Sequence, residues 1–380
     1  MLKRVAILAN GGDVAGLNPV IRAIKKVCEN NKIECYGFID GFRGMVENNF
    51  VRLDHNPLAS GILARGGSII GSSTNTIVFH YKVENPDGTV EYKDLSNLCV
   101  ENVMRDKFDC VFMLGGDSTQ KSGRDLFLKG MNVIGVPKTI DNDVACTDVT
   151  FGYNTAVQVA TEALDRLHTT AETHHRIMVL EVMGRYAGWI ALEAAVAGGA
   201  DICLIPEIPY DIKKAAKKIK NRIAGGKQFS IVVVSEGAMP VDGEASTFTD
   251  EDVDSKSGIS VKFQGAGEKV AAELEKLTGL ESRCTTLGYV QRGGTPSSYD
   301  RLLSTKYGVK AMDLALEGKF GVLTVIKDGK MDSVPLEKVV GKNKVLGAVE
   351  GGTNASNVRT VPLDDELVKT AREIGINLGD

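Results

Sequence analysis

Short apolar runs, each followed by a longer stretch with helical spacing, set the rhythm of this chain. "RVAILAN" reads as a buried strand, and "LNPVIRAIKKVCENN" follows with Val20, Ile21, Ile24 and Val27 along one helical face. "IECYGFI", "DCVFMLGG", "NVIGVP", "RIMVLEV", "ADICLIP" and "SIVVVSEG" repeat the strand half of that unit. Strands apolar on both faces belong in a parallel sheet covered by helices on either side, so the pattern predicts an α/β fold. In open sheets of this kind ligands bind beyond the carboxyl ends of the strands. The residues that immediately follow each run are therefore where chemistry is expected. One segment breaks the alternation: "IVFHYKVENPDGTVEYKDL" has strand-forming residues on both sides of Asn85-Pro86-Asp87-Gly88 and predicts a surface hairpin.

Two glycine-rich turns lie at such strand ends. "ANGGDVAGLN" places Gly11, Gly12 and Asp13 before a helix, and "LGGDSTQKSGRDL" places Gly115, Gly116 and Asp117 the same way. Glycine lets backbone amides approach a phosphate closely, and a helix amino terminus favours its charge. Neither turn matches GxxxxGK[ST] or GxGxxG, which disfavours a P-loop and weakens a dinucleotide reading.

Carboxylates add to this picture. Asp141 and Asp143 stand two residues apart in "GVPKTIDNDV", beside Lys138 and Thr139, and Asp117 follows another strand. Three carboxylates at one sheet edge can divide proton and metal work, as phosphoryl transfer requires. Arg176 and Arg185 in "HHRIMVLEVMGRYAGW", with Arg283 and Arg292 in "ESRCTTLGYVQRGGTPSSYDR", offer forks for a phosphate. His174 and His175 have no acidic partner at ligand spacing and are expected in an exposed loop, while Met183 and Trp189 read as core.

Composition narrows the class. A chain of 380 residues suggests roughly two or three domains. Net charge of −4 gives no cationic field for nucleic acid, and no apolar run approaches a bilayer span. The amino-terminal run lacks a signal-peptide layout, so a cytoplasmic protein is expected. Seven cysteines without a CxxC pair argue against a zinc site or a disulfide framework, and buried free thiols are expected.

The set "GGDVAGLN", "GGDST", "PKTIDND", "EVMGRYAGW", "SEG" and "LGYVQRGG", in this order over nearly the whole chain, resembles the phosphofructokinase A family. "PKTIDND" and the closing "AREIGINLGD" resemble its mixed-substrate group, which has ATP-dependent and pyrophosphate-dependent members. The resemblance implies two Rossmann-like three-layer α/β/α domains with the active site in the cleft between them. Residues 1–150 with roughly 291–345 would form a larger donor-binding domain, and 151–290 with roughly 346–380 a smaller one for the sugar phosphate. It implies a Mg²⁺-dependent 6-phosphofructokinase acting on fructose 6-phosphate, with ATP or pyrophosphate as donor. Asp141 would take the proton from the sugar's C1 hydroxyl, and Asp117 and Asp143 would hold Mg²⁺. Thr139 and Arg185 would flank the transferring phosphoryl group, and Gly11, Gly12, Gly116, Ser118, Thr119 and Lys138 would surround the donor. Met183, Gly184, Glu236 and Tyr289 would line the sugar; Arg176, Arg283 and Arg292 would grip its 6-phosphate. In the family the first two of those arginines come from a neighbouring subunit, which implies a homodimer or homotetramer with shared sites.

Three positions depart from the family pattern. Ser118 stands where ATP-dependent members have Gly and pyrophosphate-dependent members Asp; its small uncharged side chain favours ATP, while Lys138 keeps pyrophosphate open. "RGGSIIGSSTNT" has Thr74 or a neighbour where the family carries Arg, a cation that Lys138 or Lys82 would have to replace. Tyr289 replaces the usual His, which leaves open another sugar phosphate as acceptor, and the two losses together leave open a catalytically weak sensor.

Overall fold

Alternate residues of one strand serve two different cores, and that alternation organises the molecule. The computed structural model describes residues 2–56, 60–74, 76–85, 87–243, 246–248, 262–263, 265–340 and 358–380. The first part of the chain runs β1 (Arg4–Ala9), α1 (Leu17–Asn31), β2 (Glu34–Phe38), α2 (Phe42–Glu47), β3 (Phe50–Arg52), β4 (Tyr81–Glu84), β5 (Val90–Lys93), α3 (Ser96–Arg105), β6 (Cys110–Gly115), α4 (Asp117–Leu128) and β7 (Val133–Pro137). Next come α5 (Tyr153–His174), β8 (Ile177–Val182), α6 (Trp189–Ala197), β9 (Ile202–Leu204), α7 (Ile212–Ala224), β10 (Ser230–Ser235), β11 (Thr247–Phe248), β12 (Lys262–Phe263), α8 (Ala266–Thr278) and β13 (Ser282–Thr286). The chain closes with α9 (Ser298–Leu316), β14 (Val322–Lys327), β15 (Lys330–Pro335), α10 (Leu336–Val339) and α11 (Glu366–Glu373).

A seven-stranded sheet has the order β15-β14-β7-β6-β1-β2-β3. Val5, Ile7 and Ala9 of β1 face the core that holds Leu17, Val20, Ile21 and Ile24 of α1. Ala6 and Leu8 face the opposite core, with Cys99 and Val103 of α3 and Leu126 of α4. A four-stranded parallel sheet, β13-β8-β10-β9, repeats the arrangement. Ile177 and Val179 pack on α7 and α8, whereas Met178, Leu180 and Val182 join the first core. The chain thus folds as two Rossmann-like α/β/α domains, as expected, with one apolar core continuous between them.

The sheet is parallel in its middle and antiparallel at both edges, where β2–β3 and β14–β15 pair. Those edge strands lie outside the expected set, and "ADICLIP" contributes only three residues of strand. The hairpin forms as predicted: Gly88 N–H donates to Asn85 O at 2.9 Å, and β4 pairs antiparallel with β5. The histidine pair differs from expectation. His174 is the last residue of α5 and His175 caps it in the left-handed region at φ 54°, a usual way for a helix to end. Trp189 is buried as expected and Met183 partly so. Five cysteines are buried; Cys146 is exposed and Cys284 half-buried, and the described cysteines are all free.

Candidate active site

A single amide bridges two strands at the carboxyl end of the larger sheet. Gln120, one turn into α4, donates from Nε2 to Gly115 O at 2.8 Å, Val136 O at 3.2 Å and Met113 O at 3.3 Å. It ties the ends of β6 and β7 together beneath the two turns. Gly115 is required here, because a Cβ would lie 2.2 Å from that of Thr119. Gly116 then leads into α4, placing Asp117 and exposed Ser118 in its first turn. Thr119 is buried, and its Oγ1 has no partner.

Across from them, Gly11 takes φ 83° and donates its N–H to Ser73 O at 2.8 Å, while Ser72 Oγ donates to Gly11 O at 2.6 Å. Lys138, only 2% exposed, donates from Nζ to Gly12 O. Burial, with the neighbouring Arg292 cation, lowers its pKa to about 7. The glycine loop and the lysine after β7 therefore meet.

The loop beyond Lys138 is pinned from within. Asp141 N–H donates to Thr139 Oγ1 at 3.1 Å, Thr150 Oγ1 to Thr139 O at 2.8 Å, and Thr150 N–H to Asn142 Oδ1 at 3.0 Å. Asn142 adopts φ 54° between the two aspartates. Asp141 is buried and its Oδ1 has no partner, an acceptor withdrawn from water and kept for something else. Burial, then the Asp141 and Asp117 charges, raise the Asp143 carboxyl well above the usual range, while Arg185 acts against them. The three aspartates and this arginine thus share one field.

The smaller sheet supplies the opposite wall. Met183, Gly184 and Arg185 follow β8, and Glu236 follows β10. Met183 N–H donates to Gln291 Oε1 at 2.8 Å, and Glu236 Oε1 accepts the Arg185 and Gly184 N–H groups at 3.0 and 3.3 Å. Burial and the Asp141 charge raise Glu236 to about 7. Arg292 Nη1 reaches Asp13 O at 3.4 Å, and a Cβ on Gly12 would touch it at 2.8 Å. Gly11, Gly12, Ser72, Thr74, Tyr289 and Arg292 line one cavity of about 240 Å³, with Tyr289 82% exposed at its rim.

The chain has close relatives. A model of the phosphofructokinase family, described as "Phosphofructokinase", matches residues 4–315. The chain belongs to the phosphofructokinase family. A Clostridium perfringens protein, ATP-dependent 6-phosphofructokinase 2, is 49% identical over 100% of this chain and 99% of its own. An ATP-dependent 6-phosphofructokinase from Propionibacterium freudenreichii is 41% identical over the whole of both chains. Among solved structures, the Pichia pastoris phosphofructokinase in the T-state aligns with a TM-score of 0.73 at 28% identity, over 89% of this chain and 35% of that one.

Two phosphofructokinase-pattern arginines stand apart from the rest. Arg176 precedes β8 and Arg283 is the second residue of β13, both at the amino ends of strands, while Met183 and the residues after it follow the carboxyl end of β8. The six residues of β8 separate Arg176 from Met183, roughly 20 Å. Both arginines pair with Glu281, Arg176 at 2.6 Å, and Arg283 also lies 3.6 Å from Glu275. One chain does not bring them to its own cleft. Lys82 pairs with Glu84 at 3.0 Å on the hairpin and is absent from the lining of the cavity at Thr74.

Gln120 and Gln291 were not among the expected site residues. Both are fully buried polar side chains beside motif glycines, and Gln291 already stands in "LGYVQRGG". Among the described residues no three His, Cys, Asp or Glu side chains converge closely enough to hold a metal by themselves. Among them, too, no helix is long and apolar enough to cross a membrane.

Proposed function

We propose that this chain is an ATP-dependent 6-phosphofructokinase, moving the γ-phosphoryl group of ATP to the C1 hydroxyl of fructose 6-phosphate to give fructose 1,6-bisphosphate. One observation carries the chemistry: buried Asp141 keeps Oδ1 without a partner in a field shared with Asp117, Asp143 and Arg185. A carboxylate so placed accepts the hydroxyl proton as the oxygen attacks phosphorus. Arg185, with its main chain fixed by Glu236, offsets charge on the transferring group, and Thr139 stands beside Asp141 to orient it. Full-length identity of 49% to a protein named as the ATP-dependent enzyme supports the same donor here.

Mg²⁺ fits the donor set. The ion usually takes one or two carboxylates together with phosphate and water oxygens. Asp117 and Asp143, mutually repulsive and half-buried, would hold it on the donor phosphates, where it would neutralise their charge. The glycine turns with Ser118, Thr119 and Lys138 form the donor side, and Met183, Gly184, Glu236, Tyr289 and Arg292 the sugar side. We assign 1–150 with roughly 291–345 to the donor domain and 151–290 with roughly 346–380 to the sugar domain. Arg176 and Arg283 would grip the 6-phosphate of a neighbouring subunit's substrate, making the enzyme a homodimer or homotetramer. Its setting is the cytoplasm.

Buried Lys138 against Gly12 favours a second reading, pyrophosphate as donor. Purified protein with Mg²⁺ and fructose 6-phosphate, given each donor in turn, is expected to form the bisphosphate far faster with ATP. Faster turnover with pyrophosphate reverses the assignment. No turnover with either overturns both and leaves a sugar-phosphate or nucleotide sensor.

A further inference from the structure

The turn carrying Asp141 and Asp143 is gripped from outside by a segment near the carboxyl terminus. Val358 pairs antiparallel with Val144, and Arg359 N–H donates to Asp143 O at 2.8 Å. The Arg359 guanidinium donates from Nη1 to Asn142 O at 3.2 Å. Asn142 and Asp143 thus both lend carbonyls to one arginine.

The arginine is itself fixed by the other domain. Its guanidinium lies 4.1 Å from the centroid of the Trp189 ring, and Trp189 Nε1 donates to Arg359 O at 3.2 Å. One indole at the start of α6 therefore holds the residue at its side chain and its main chain. Two residues on, Val361 N–H donates to Glu207 Oε1 at 2.8 Å, and the same carboxylate accepts Gly188 N–H at 2.9 Å. Residues 358–361 run as a strap between the turn and the base of α6.

We propose that Arg359 is a positioning residue for phosphoryl transfer, orienting the 142–143 peptide so that the Asp141 and Asp143 carboxylates face the cleft. Asn142 sits at φ 54°, where a non-glycine residue persists only if its surroundings over-determine it. Thr150 restrains its side chain and Arg359 its carbonyl. Releasing the carbonyl lets the peptide rotate, and that rotation swings the two flanking carboxylates apart. The inference rests on the reading of Asp141 as base and Asp143 as metal ligand.

The test uses the full chain carrying Arg359→Met, which keeps apolar contact with Trp189 but donates no hydrogen bond, alongside Arg359→Ala. Both are expected to lose kcat on the order of ten- to a hundredfold, the scale of a small misplacement of reacting groups. KM for either substrate should stay within about threefold, since residues 358–361 meet the turn through its main chain and are not among the residues lining the cavity at Gly12. Amide hydrogen exchange across residues 140–144 should quicken in both, and added guanidinium should restore part of the rate to Arg359→Ala but not to Arg359→Met. Should the alanine variant not fold, the methionine variant decides alone. Wild-type kcat in Arg359→Met, or a loss seen only as raised KM, overturns the proposal. Asp141→Asn separates the two levels: if it keeps the wild-type rate, the reading of the site falls, whereas if it is dead and Arg359→Met is fully active, only the positioning role does.

Discussion

Glu236 holds the main chain of Arg185, its Oε1 accepting the Arg185 N–H at 3.0 Å. Arg185 and its neighbour Gly184, whose N–H the same oxygen accepts, lie at φ 49° and 147°, outside the ordinary regions. The contact keeps a strained corner in place at the cost of a buried carboxyl, which burial and the Asp141 charge raise to about 7. With a folded pKa above the unfolded one, this group contributes stability that is complete below about pH 4.5 and lost as pH rises through about 7. Glu236→Gln keeps an acceptor and removes the titration. Its stability relative to wild type, read from unfolding titrations, is therefore expected to rise from pH 5 to pH 8 by about 2 kcal/mol after allowing for water at this side chain. A difference that is flat across that range would remove the account.

Lys138 carries the opposite sign. Its folded pKa, lowered to about 7, lies well below its unfolded value, so folding below pH 7 confines a buried cation. That penalty shrinks as pH rises from about 7 towards 10. Lys138→Met should stabilise the fold at pH 6.5 by on the order of 4 kcal/mol at most, and much less at pH 9.5. Donor phosphates arriving beside Nζ raise its pKa again. Calorimetry of donor binding at pH 8, in two buffers of different ionisation enthalpy, should then show proton uptake in wild type and none in the methionine variant; buffer-independent heats in wild type would exclude it.

Ser118 is exposed in the first turn of α4, next to Asp117. Ser118→Asp places a second carboxylate at a helix amino terminus, favourable to the helix by up to about 1 kcal/mol. The same charge faces the phosphates of a nucleotide. The variant is expected to melt at or slightly above the wild-type temperature while KM for ATP rises about tenfold. Unchanged ATP kinetics would show that Ser118 does not read the donor.

How far the sequence reveals all this depends on how local each cause is. β8 and β10 are buried at all six positions, so their apolar runs are visible without the fold. β15 alternates exposed with half-buried residues and exists because Met331 and Val334 meet Ile326 and Leu323 of β14, a pairing no single window displays. Asp141 and Asp143 follow strand ends and are legible for that reason, whereas Glu236 enters only through the family resemblance. Gln291 is not legible, because its partner is the Met183 N–H, 108 residues away, and a buried amide in a short turn has no periodic signature. Arg359 likewise acts through Asn142, which lies 217 residues from it. Arg176 and Arg283 were read as phosphate ligands from their motifs, yet their place at the amino ends of the strands follows only from the sheet register.

Asp300 shows the same dependence on distant partners in a form that is readily measured. Gly152 begins α5 without a side chain to cap it, and the carboxylate of Asp300, fully buried in the first turn of α9, takes that part. It accepts Gly152 N–H at 2.9 Å, Thr155 N–H at 2.7 Å and the Thr155 hydroxyl at 2.5 Å. Helix amino termini leave such N–H groups without internal partners, and stranding them in the core costs about 1–3 kcal/mol each. Asp300→Ala is expected to destabilise the fold by about 3 kcal/mol in urea titration. Asp300→Asn should lose less, since one oxygen remains to accept while its amide faces donors. Asn and Ala variants both as stable as wild type would mean that the carboxylate does not cap α5.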